Sequence, residues 1–184
     1  KNFLKKFLLK KIYPLSDGFI SVCRFTGNIL VQKLKIHPDK ITVIPPLVSN
    51  MKVREYSERF FKKNKQIISV GRLVKRKGFD ILINAFSQLL KDIPPDVNLV
   101  IVGQGPEEVN LKNLIKSLGI ENRVALKGNL DDSSLAEEYN KSSVFVLTNI
   151  TLPNGDTEGC PTVLLEAMAQ GIPVVSSMEG GTED

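Results

Sequence analysis

Continuous apolar runs in the second half of the chain constrain its fold more than any other feature. The segments 66–70 (QIISV), 98–102 (NLVIV) and 143–147 (SVFVL) carry apolar residues at successive positions instead of at every second one. This pattern is typical of strands buried on both faces, as in a parallel sheet with helices on either side. The sequence therefore predicts an α/β fold with a Rossmann-like, doubly wound parallel sheet.

Helical patterns alternate with these strands. Further strands are predicted at 18–23, 41–44, 123–127 and 172–177, and helices at 1–13, 25–34, 79–90, 107–118, 133–140 and 161–171. The last helix is expected to open at Pro161, as the first helical residue, and to end at Gly171. A charged stretch after two prolines predicts a linker at 49–65, between a first segment, 1–48, and a Rossmann-like domain, 66–184.

The composition indicates a globular protein with anionic partners. The chain has 184 residues, 25 basic and 20 acidic, for a net charge of +5. A nucleic-acid partner is not expected, because no basic stripe is interleaved with aromatic residues. The two cysteines, Cys23 and Cys160, are too few and too scattered for a disulfide or metal framework, which favours a reducing cytoplasm.

The N-terminal segment 1–13 (KNFLKKFLLKKIY) has apolar residues on one helical face and lysines on the other. One interpretation is a helix that packs against a neighbouring part of the protein. The other is a helix that lies on an acidic membrane, which would place the protein at the inner face of the cell membrane.

Glycine and charge concentrate where the predicted parallel strands end, which is where such sheets bind ligands. The loop 71–78 (GRLVKRKG) holds four cations and two glycines, which suits a phosphate, although a solvated basic turn would have the same composition. The loop 103–108 (GQGPEE) fails the dinucleotide fingerprint, because Glu108 stands at the third glycine position. A nicotinamide-dependent enzyme is therefore not expected.

Two carboxylates flank the start of the last predicted helix. Glu166 is the only charge in an apolar helix, and Glu158 lies in the preceding loop. A nucleotide sugar would supply a diphosphate to the exposed helix amides and hydroxyls to both carboxylates. Alternatively, Glu166 pairs with an Arg or Lys of its own chain, or the two acids serve glycoside hydrolysis.

Several motifs occur together in one order: Val70-Gly71-Arg72-Leu73, Lys77-Gly78, Val102-Gly103-Gln104-Gly105-Pro106, Glu158-Gly159, Leu165-Glu166-Ala167 and Gly180-Gly181. Over about residues 14–184 the chain resembles the family 4 retaining glycosyltransferases of GT-B fold. The resemblance implies an acceptor-binding domain, of which 1–48 would be the tail. It also implies a donor-binding domain at 66–184, truncated at its C-terminus, with the active site in the cleft between the two.

By this resemblance, Arg72 and Lys77 would hold the donor diphosphate and stabilise the leaving nucleotide. Glu158 would contact the donor sugar near its reacting carbon, and Glu166 would bind the ribose hydroxyls. The remaining donor-binding residues would be Gly71, Gly128, Asn129, Leu130, Gly159, Cys160, Thr162 and Val163.

The resemblance also implies transfer from a nucleotide-diphosphate sugar to a glycan or lipid-linked acceptor, with retention of configuration and without a metal or other cofactor. The acceptor would bind through the N-terminal domain that lies outside this chain. The chain alone is expected to bind its donor weakly and to catalyse nothing. A nucleotide-binding GT-B module without chemistry, a phosphorylase and a nucleotide-sugar epimerase are the alternatives.

Overall fold

The computed structural model describes residues 12–48 and 65–184. The predicted helix at 1–13 and the linker at 49–65 therefore lie almost wholly outside the described residues. The described strands are Phe19–Ser21 (β1), Ile41–Val43 (β2), Gln66–Val70 (β3), Asn98–Val102 (β4), Val124–Leu126 (β5), Ser142–Leu147 (β6) and Val174–Ser176 (β7). The described helices are Arg24–Leu34 (α1), Phe79–Leu89 (α2), Glu108–Ser117 (α3), Asp132–Lys141 (α4) and Thr162–Ala169 (α5). None of these helices is both long and apolar enough to cross a membrane.

Strands β3 to β7 form one parallel sheet in the order β5-β4-β3-β6-β7. The chain builds outward from β3 to β5 and then returns to the other side of β3 with β6. This order is that of a doubly wound Rossmann-like sheet, and the predicted fold class is confirmed. The order reverses between β3 and β6, and ligands bind at such a switch point, beyond the carboxyl ends of the strands.

Strand β4 shows why the apolar runs are continuous. Its side chains alternate between two hydrophobic clusters, with Leu99 and Ile101 on one face of the sheet and Val100 and Val102 on the other. Helices α2 and α3 contribute to the first cluster, and α4 and α5 to the second. Both faces are therefore covered, and every position of the strand except its first is buried.

Residues 12–48 form a small β–α–β unit in which β1 and β2 pair in parallel. The start of α1 lies against the C-terminal residues of the chain. The backbone N–H of Phe25 donates to Asp184 Oδ2 at 2.9 Å, and Arg24 Nε lies 3.4 Å from Asp184 Oδ1. The unit thus contacts the larger sheet domain on the side where α5 begins.

The start of α5 differs from the prediction by one residue. Pro161 has extended backbone angles (φ −79°, ψ 90°) and precedes the helix, which begins at Thr162. A helix cap has non-helical angles while its carbonyl accepts the first helical hydrogen bond, and Pro161 does so from Leu164 N at 3.0 Å. Strands β5 and β7 are also shorter than predicted, at three residues each.

Glu138 ties α4 to the sheet, through the first residue of β3 and the residue that follows β5. Its buried carboxylate accepts hydrogen bonds from Lys127 at 2.9 Å, Lys141 at 3.1 Å and Gln66 at 3.1 Å. Burial alone would raise the pKa of Glu138, but these hydrogen bonds outweigh it, and the pKa lies below its ordinary value.

Substitution of Gly78 by Ala tests the close approach of two loops at the switch point. Gly78 has φ 61°, and a Cβ there would lie 2.0 Å from the backbone oxygen of Thr148. Gly119 is a matched control, since its φ is 66° but a Cβ would meet nothing within 4 Å. Urea unfolding should show a loss of about 1–2 kcal/mol for Gly119→Ala, from the left-handed backbone alone. A larger loss is expected for Gly78→Ala, and equal losses would contradict the overlap.

Glu138→Gln tests the charged cluster through its pH dependence. Because the folded pKa of Glu138 is lowered, its charge adds stability above the unfolded pKa, near 4.5, and this stability is lost as pH falls through the folded pKa. The difference in free energy of unfolding between wild type and Glu138→Gln should therefore be largest near neutral pH and shrink in acid. Glu137→Gln, at a side chain 71% exposed, should show little difference at any pH. A pH-independent difference for Glu138→Gln would contradict the assignment.

Candidate functional site

The loop after β3 is held against the loop after β4 by backbone hydrogen bonds. Gly71 N donates to Val102 O and Leu73 N donates to Gln104 O, each at 2.9 Å. A short 3-10 turn then covers Lys75–Lys77, and the left-handed Gly78 leads directly into α2. The cationic loop is therefore a fixed backbone structure at the carboxyl edge of the sheet.

The same loop is bonded across the switch point to the loop after β6. Thr148 Oγ1 donates to Gly78 O at 2.8 Å, and Ile150 N donates to Arg76 O at 2.8 Å. These bonds hold the start of this loop, from Thr148 to Ile150, beside the cationic loop. The two loops that the sequence singled out are brought together.

Lys77 and Glu158 meet in a buried ion pair at this edge. Lys77 Nζ lies 2.5 Å from Glu158 Oε2, and the two side chains are only 9% and 12% exposed. The approach is not aligned as a hydrogen bond, since Oε2 has no hydrogen-bond partner among the described residues. The stem of Lys77 crosses Gly71, where a Cβ would lie 3.4 Å from the lysine Cε. Gly71 thus leaves room for the lysine to reach Glu158.

Arg76 and Asp156 join this pair, and sequence reasoning did not assign either to the site. Arg76 Nε lies 3.9 Å from Glu158 Oε2, and its Nη1 lies 3.7 Å from Asp156 Oδ2. Arg76 Nε is buried and has no hydrogen-bond partner among the described residues. The basic composition of the loop was a signal for Arg76, but nothing in the sequence showed which of its cations turn toward Glu158.

Arg72 differs from Lys77 in its surroundings. It is exposed, and it forms no ion pair with any residue in 12–48 or 65–184. It directly follows Gly71, at the carboxyl end of the central strand. A guanidinium in this position is free to bind a phosphate as a planar fork.

The backbone around Glu158 is fixed by the paired glycines near the chain end. Gly181 N donates to Glu158 O at 3.2 Å. A Cβ on Gly180 would lie 1.9 Å from Glu158 O, and one on Gly181 would lie 1.8 Å from Gly159 O. Only glycine permits this approach without a shift of the backbone, so Gly180-Gly181 positions the segment that carries Glu158.

Glu166 has a tyrosine as its partner. Tyr139 lies on α4 with its side chain fully buried, and its hydroxyl donates to Glu166 Oε2 at 3.3 Å. The Arg or Lys partner considered from the sequence is not found among the described residues. Burial, followed by the negative charge of Glu166, raises the pKa of Tyr139 far above its ordinary value. The hydroxyl therefore stays protonated and remains a donor to the half-buried carboxylate.

The segment 128–130 lies at the same edge, on the β5 side. Gly103 N donates to Gly128 O at 2.7 Å, which links the loops after β4 and β5. Gly103 itself lies against Gly71, since a Cβ on it would be 2.0 Å from Gly71 O. Asn129 is exposed, whereas Leu130 packs on the hydrophobic cluster beneath.

The residues just before and at the start of α5 differ in their surroundings. Gly159 packs against α1, with its carbonyl bonded to Cys23 and its Cα beside Thr26. Thr162 is exposed, Cys160 is half-buried, and Val163 packs against the core. No side chain caps the helix, so the first amides of α5 are left for solvent or an anion.

Together these groups can bind a ligand that is anionic at one end and carries hydroxyls at the other. Cations lie on the loop after β3, carboxylates lie on either side of the α5 start, and backbone amides lie between them. Among the described residues, no group of three or more His, Cys, Asp or Glu side chains is placed to hold a metal ion.

The chain is similar in sequence to curated glycosyltransferases. The chain is 33% identical over 154 residues to the amylovoran biosynthesis glycosyltransferase AmsK of Erwinia amylovora, covering 84% of this chain and 35% of AmsK. It is 30% identical over 175 residues to the N-acetylgalactosamine-N,N'-diacetylbacillosaminyl-diphospho-undecaprenol 4-alpha-N-acetylgalactosaminyltransferase of Campylobacter jejuni, covering 95% of this chain and 45% of that enzyme. The chain thus spans less than half the length of these curated relatives.

A solved structure extends the similarity to the fold. Anabaena HepE, in complex with UDP and glucose, has a TM-score of 0.71 and 25% identity, covering 91% of this chain and 46% of HepE. The family model described as "Glycosyl transferases group 1" matches residues 53–184, which include all of the sheet domain. The chain therefore belongs to the group 1 glycosyl transferase family.

Proposed function

We propose that the protein transfers a sugar from a nucleotide-sugar donor to a glycan or lipid-linked acceptor, with retention of configuration. In this proposal residues 66–184 bind the donor along the carboxyl edge of the sheet. The observation that carries it is the buried Lys77–Glu158 ion pair, which lies at the switch point beside the exposed Arg72.

A nucleotide sugar matches this pair because it can serve both partners at once. Taking two charges out of water is costly, so a ligand that separates Lys77 from Glu158 must offer each a replacement. A diphosphate gives the ammonium an anion, and a sugar hydroxyl gives the carboxylate a donor. A neutral glycan would supply only the second, and inorganic phosphate only the first.

The second carboxylate suits the nucleoside. Glu166 accepts one hydrogen bond from Tyr139, and Tyr139 is held in the core and remains protonated. This bond orients the carboxylate and leaves acceptor capacity for ribose hydroxyls. Gly128 and Asn129, on the neighbouring loop, would then lie by the base.

The proposed reaction needs only groups that are present in the donor, the acceptor and the chain. The acceptor hydroxyl oxygen forms a bond to the anomeric carbon on the face from which the diphosphate leaves. The bond from that carbon to the phosphate oxygen breaks with its electron pair, and the hydroxyl proton passes to a leaving phosphate oxygen. Arg72, Lys77 and the start of α5 stabilise the charge that develops on the diphosphate. Glu158 orients the sugar near the reacting carbon.

The acceptor proposal rests on the relatives. AmsK is named for amylovoran biosynthesis, and the Campylobacter enzyme is named for a diphospho-undecaprenol acceptor. We therefore include in the proposal a glycan or lipid-linked acceptor, which the protein encounters at the inner face of the cell membrane. Lysines at five positions within 1–11 would favour such a surface if that segment faces it.

Calorimetric titration with UDP-, GDP- and ADP-sugars tests the donor site. Wild type should bind one of them, and Glu166→Ala should bind it on the order of 10- to 100-fold more weakly, because hydrogen bonds to a charged group are lost. Glu137→Ala, at an exposed residue on α4, should bind like wild type. Unchanged binding by Glu166→Ala would make the ribose assignment wrong. Absence of binding by wild type to all three would contradict the donor proposal.

A double-mutant cycle on Lys77 and Glu158 tests the ion pair. Lys77→Ala should lower the free energy of unfolding by about 3 kcal/mol, because it removes the nearer of the two cations beside a buried carboxylate and leaves only Arg76, at 3.9 Å. The double variant Lys77→Ala/Glu158→Ala should lose less than the sum of the two single variants. Lys75→Ala, at an exposed position of the same loop, is the control for charge and should unfold like wild type. Strict additivity would show that the two charges do not stabilise each other.

A further inference from the structure

The fold brings together two cysteines that are far apart in sequence. Cys23 ends the segment between β1 and α1, and Cys160 lies just before α5. Their sequence spacing suggested scattered thiols, but the Cys23 thiol donates to the carbonyl oxygen of Gly159 at 3.0 Å. Gly159 immediately precedes Cys160, so the Cys23 sulfur lies within one peptide unit of Cys160.

Both side chains line one cavity of about 580 Å³, which lies between the ends of β1 and β2 on one side and α5 on the other. Both are free thiols, with Cys23 buried and Cys160 half-buried. Burial, followed by the proximity of the Cys23 thiol, raises the pKa of Cys160. Each thiol is therefore part of the other's immediate surroundings.

The local structure holds Cys23 toward this partner. Its sulfur accepts from Thr26 N at 3.5 Å at the start of α1, and Gly181 lies behind it, where a Cβ would be 2.9 Å from the sulfur. The sulfur is thus enclosed by the helix start, Gly181 and the segment 159–160. Among the described residues, the one other thiol that Cys23 can meet is that of Cys160.

We propose that Cys23 and Cys160 are an oxidation site, which forms an intramolecular disulfide when a low-molecular-weight disulfide such as oxidised glutathione accumulates. One protein thiolate attacks the small disulfide, forms a mixed disulfide and expels one small thiolate. The second protein thiolate attacks the protein sulfur of that mixed disulfide and expels the other. Two protein thiols become one S–S bond, and the small disulfide is reduced to two thiols.

The bond would change the segment that carries Glu158. Oxidation removes the thiol hydrogen that Cys23 donates to Gly159 O, so that carbonyl loses a hydrogen bond inside a tightly packed region. The new bond also draws Cys160 toward the start of α1. Cys160 lies two residues after Glu158 and directly before Pro161. The disulfide therefore constrains the start of α5 and the loop before it.

Peptide mapping of the purified chain tests the bond without any sugar ligand. The chain is incubated with oxidised glutathione, its remaining thiols are alkylated, and it is digested without reduction for mass spectrometry. The expected main product is a linked pair of peptides that contain Cys23 and Cys160. Cys23→Ser and Cys160→Ser, which keep a hydroxyl at each site, should give only the mixed glutathione disulfide of the remaining cysteine. Adding urea should remove the preference for the linked product, because proximity comes from the fold.

Glutathione on both cysteines of the folded wild type, or cross-links between chains, would overturn the proposal. The consequence for the site rests on the proposed function and has its own measurement, nucleotide-sugar titration of the oxidised and reduced chain. Several-fold weaker binding by the oxidised chain is expected, and equal binding would overturn the coupling to Glu158. Because the mapping needs no donor, failure of the disulfide and failure of the donor proposal give different results.

Discussion

The close approach of two backbones at the centre of the sheet is the constraint on which the site depends. Gly78 lies so near the Thr148 carbonyl that no side chain fits between them, and hydrogen bonds join the two loops on either side of that point. The loop after β3 supplies the cations and the loop after β6 leads to the carboxylates. The charges of the two loops lie close together because the two backbones lie close together, so the side chains span only a short distance.

In the proposed function, the buried ion pair limits which ligands can bind at the carboxyl edge. A lysine that is only 9% exposed needs an anion, and Glu158 provides one from within the chain. The pair keeps the edge nearly neutral at its centre while Arg72 remains exposed at its rim. Under that proposal, a ligand with several functional groups is favoured over a simple anion, since the ligand must satisfy both members of the pair.

Much of this fold could be predicted because its signals are local. The continuous apolar runs follow from strands buried on two faces, and β3, β4 and β6 lie within a residue of the predicted bounds. The sequence also indicated that Lys77 and Glu158 would lie at one edge. It could not show that they touch, because their contact depends on the path of the loop between β6 and α5. Their proposed roles, and those of Arg72 and Glu166, stay predictions.

Other contacts could not be predicted from the sequence. Tyr139 looks like an ordinary core residue of α4, and its hydroxyl reaches Glu166 only through the packing of α4 beside α5. Arg76 could not be distinguished from its basic neighbours. The nearness of Cys23 to Cys160 depends on how the first β–α–β unit contacts the sheet domain. Each case joins elements far apart in the chain, and local patterns carry no information about such pairs.

The sheet order has a further consequence for how the molecule folds. Strand β3 pairs with β4, its next strand in sequence, but its other neighbour is β6, which begins only at Ser142. Contacts of such long sequence separation are slow to form, because a large loop must close before they gain any energy. The edge of β3 that pairs with β6 is therefore expected to stay unpaired until the chain between the two strands has closed into a loop. Since the cations follow β3 and Glu158 lies in the loop after β6, the β3–β6 pairing is the long-range contact that brings the two parts of the proposed site together.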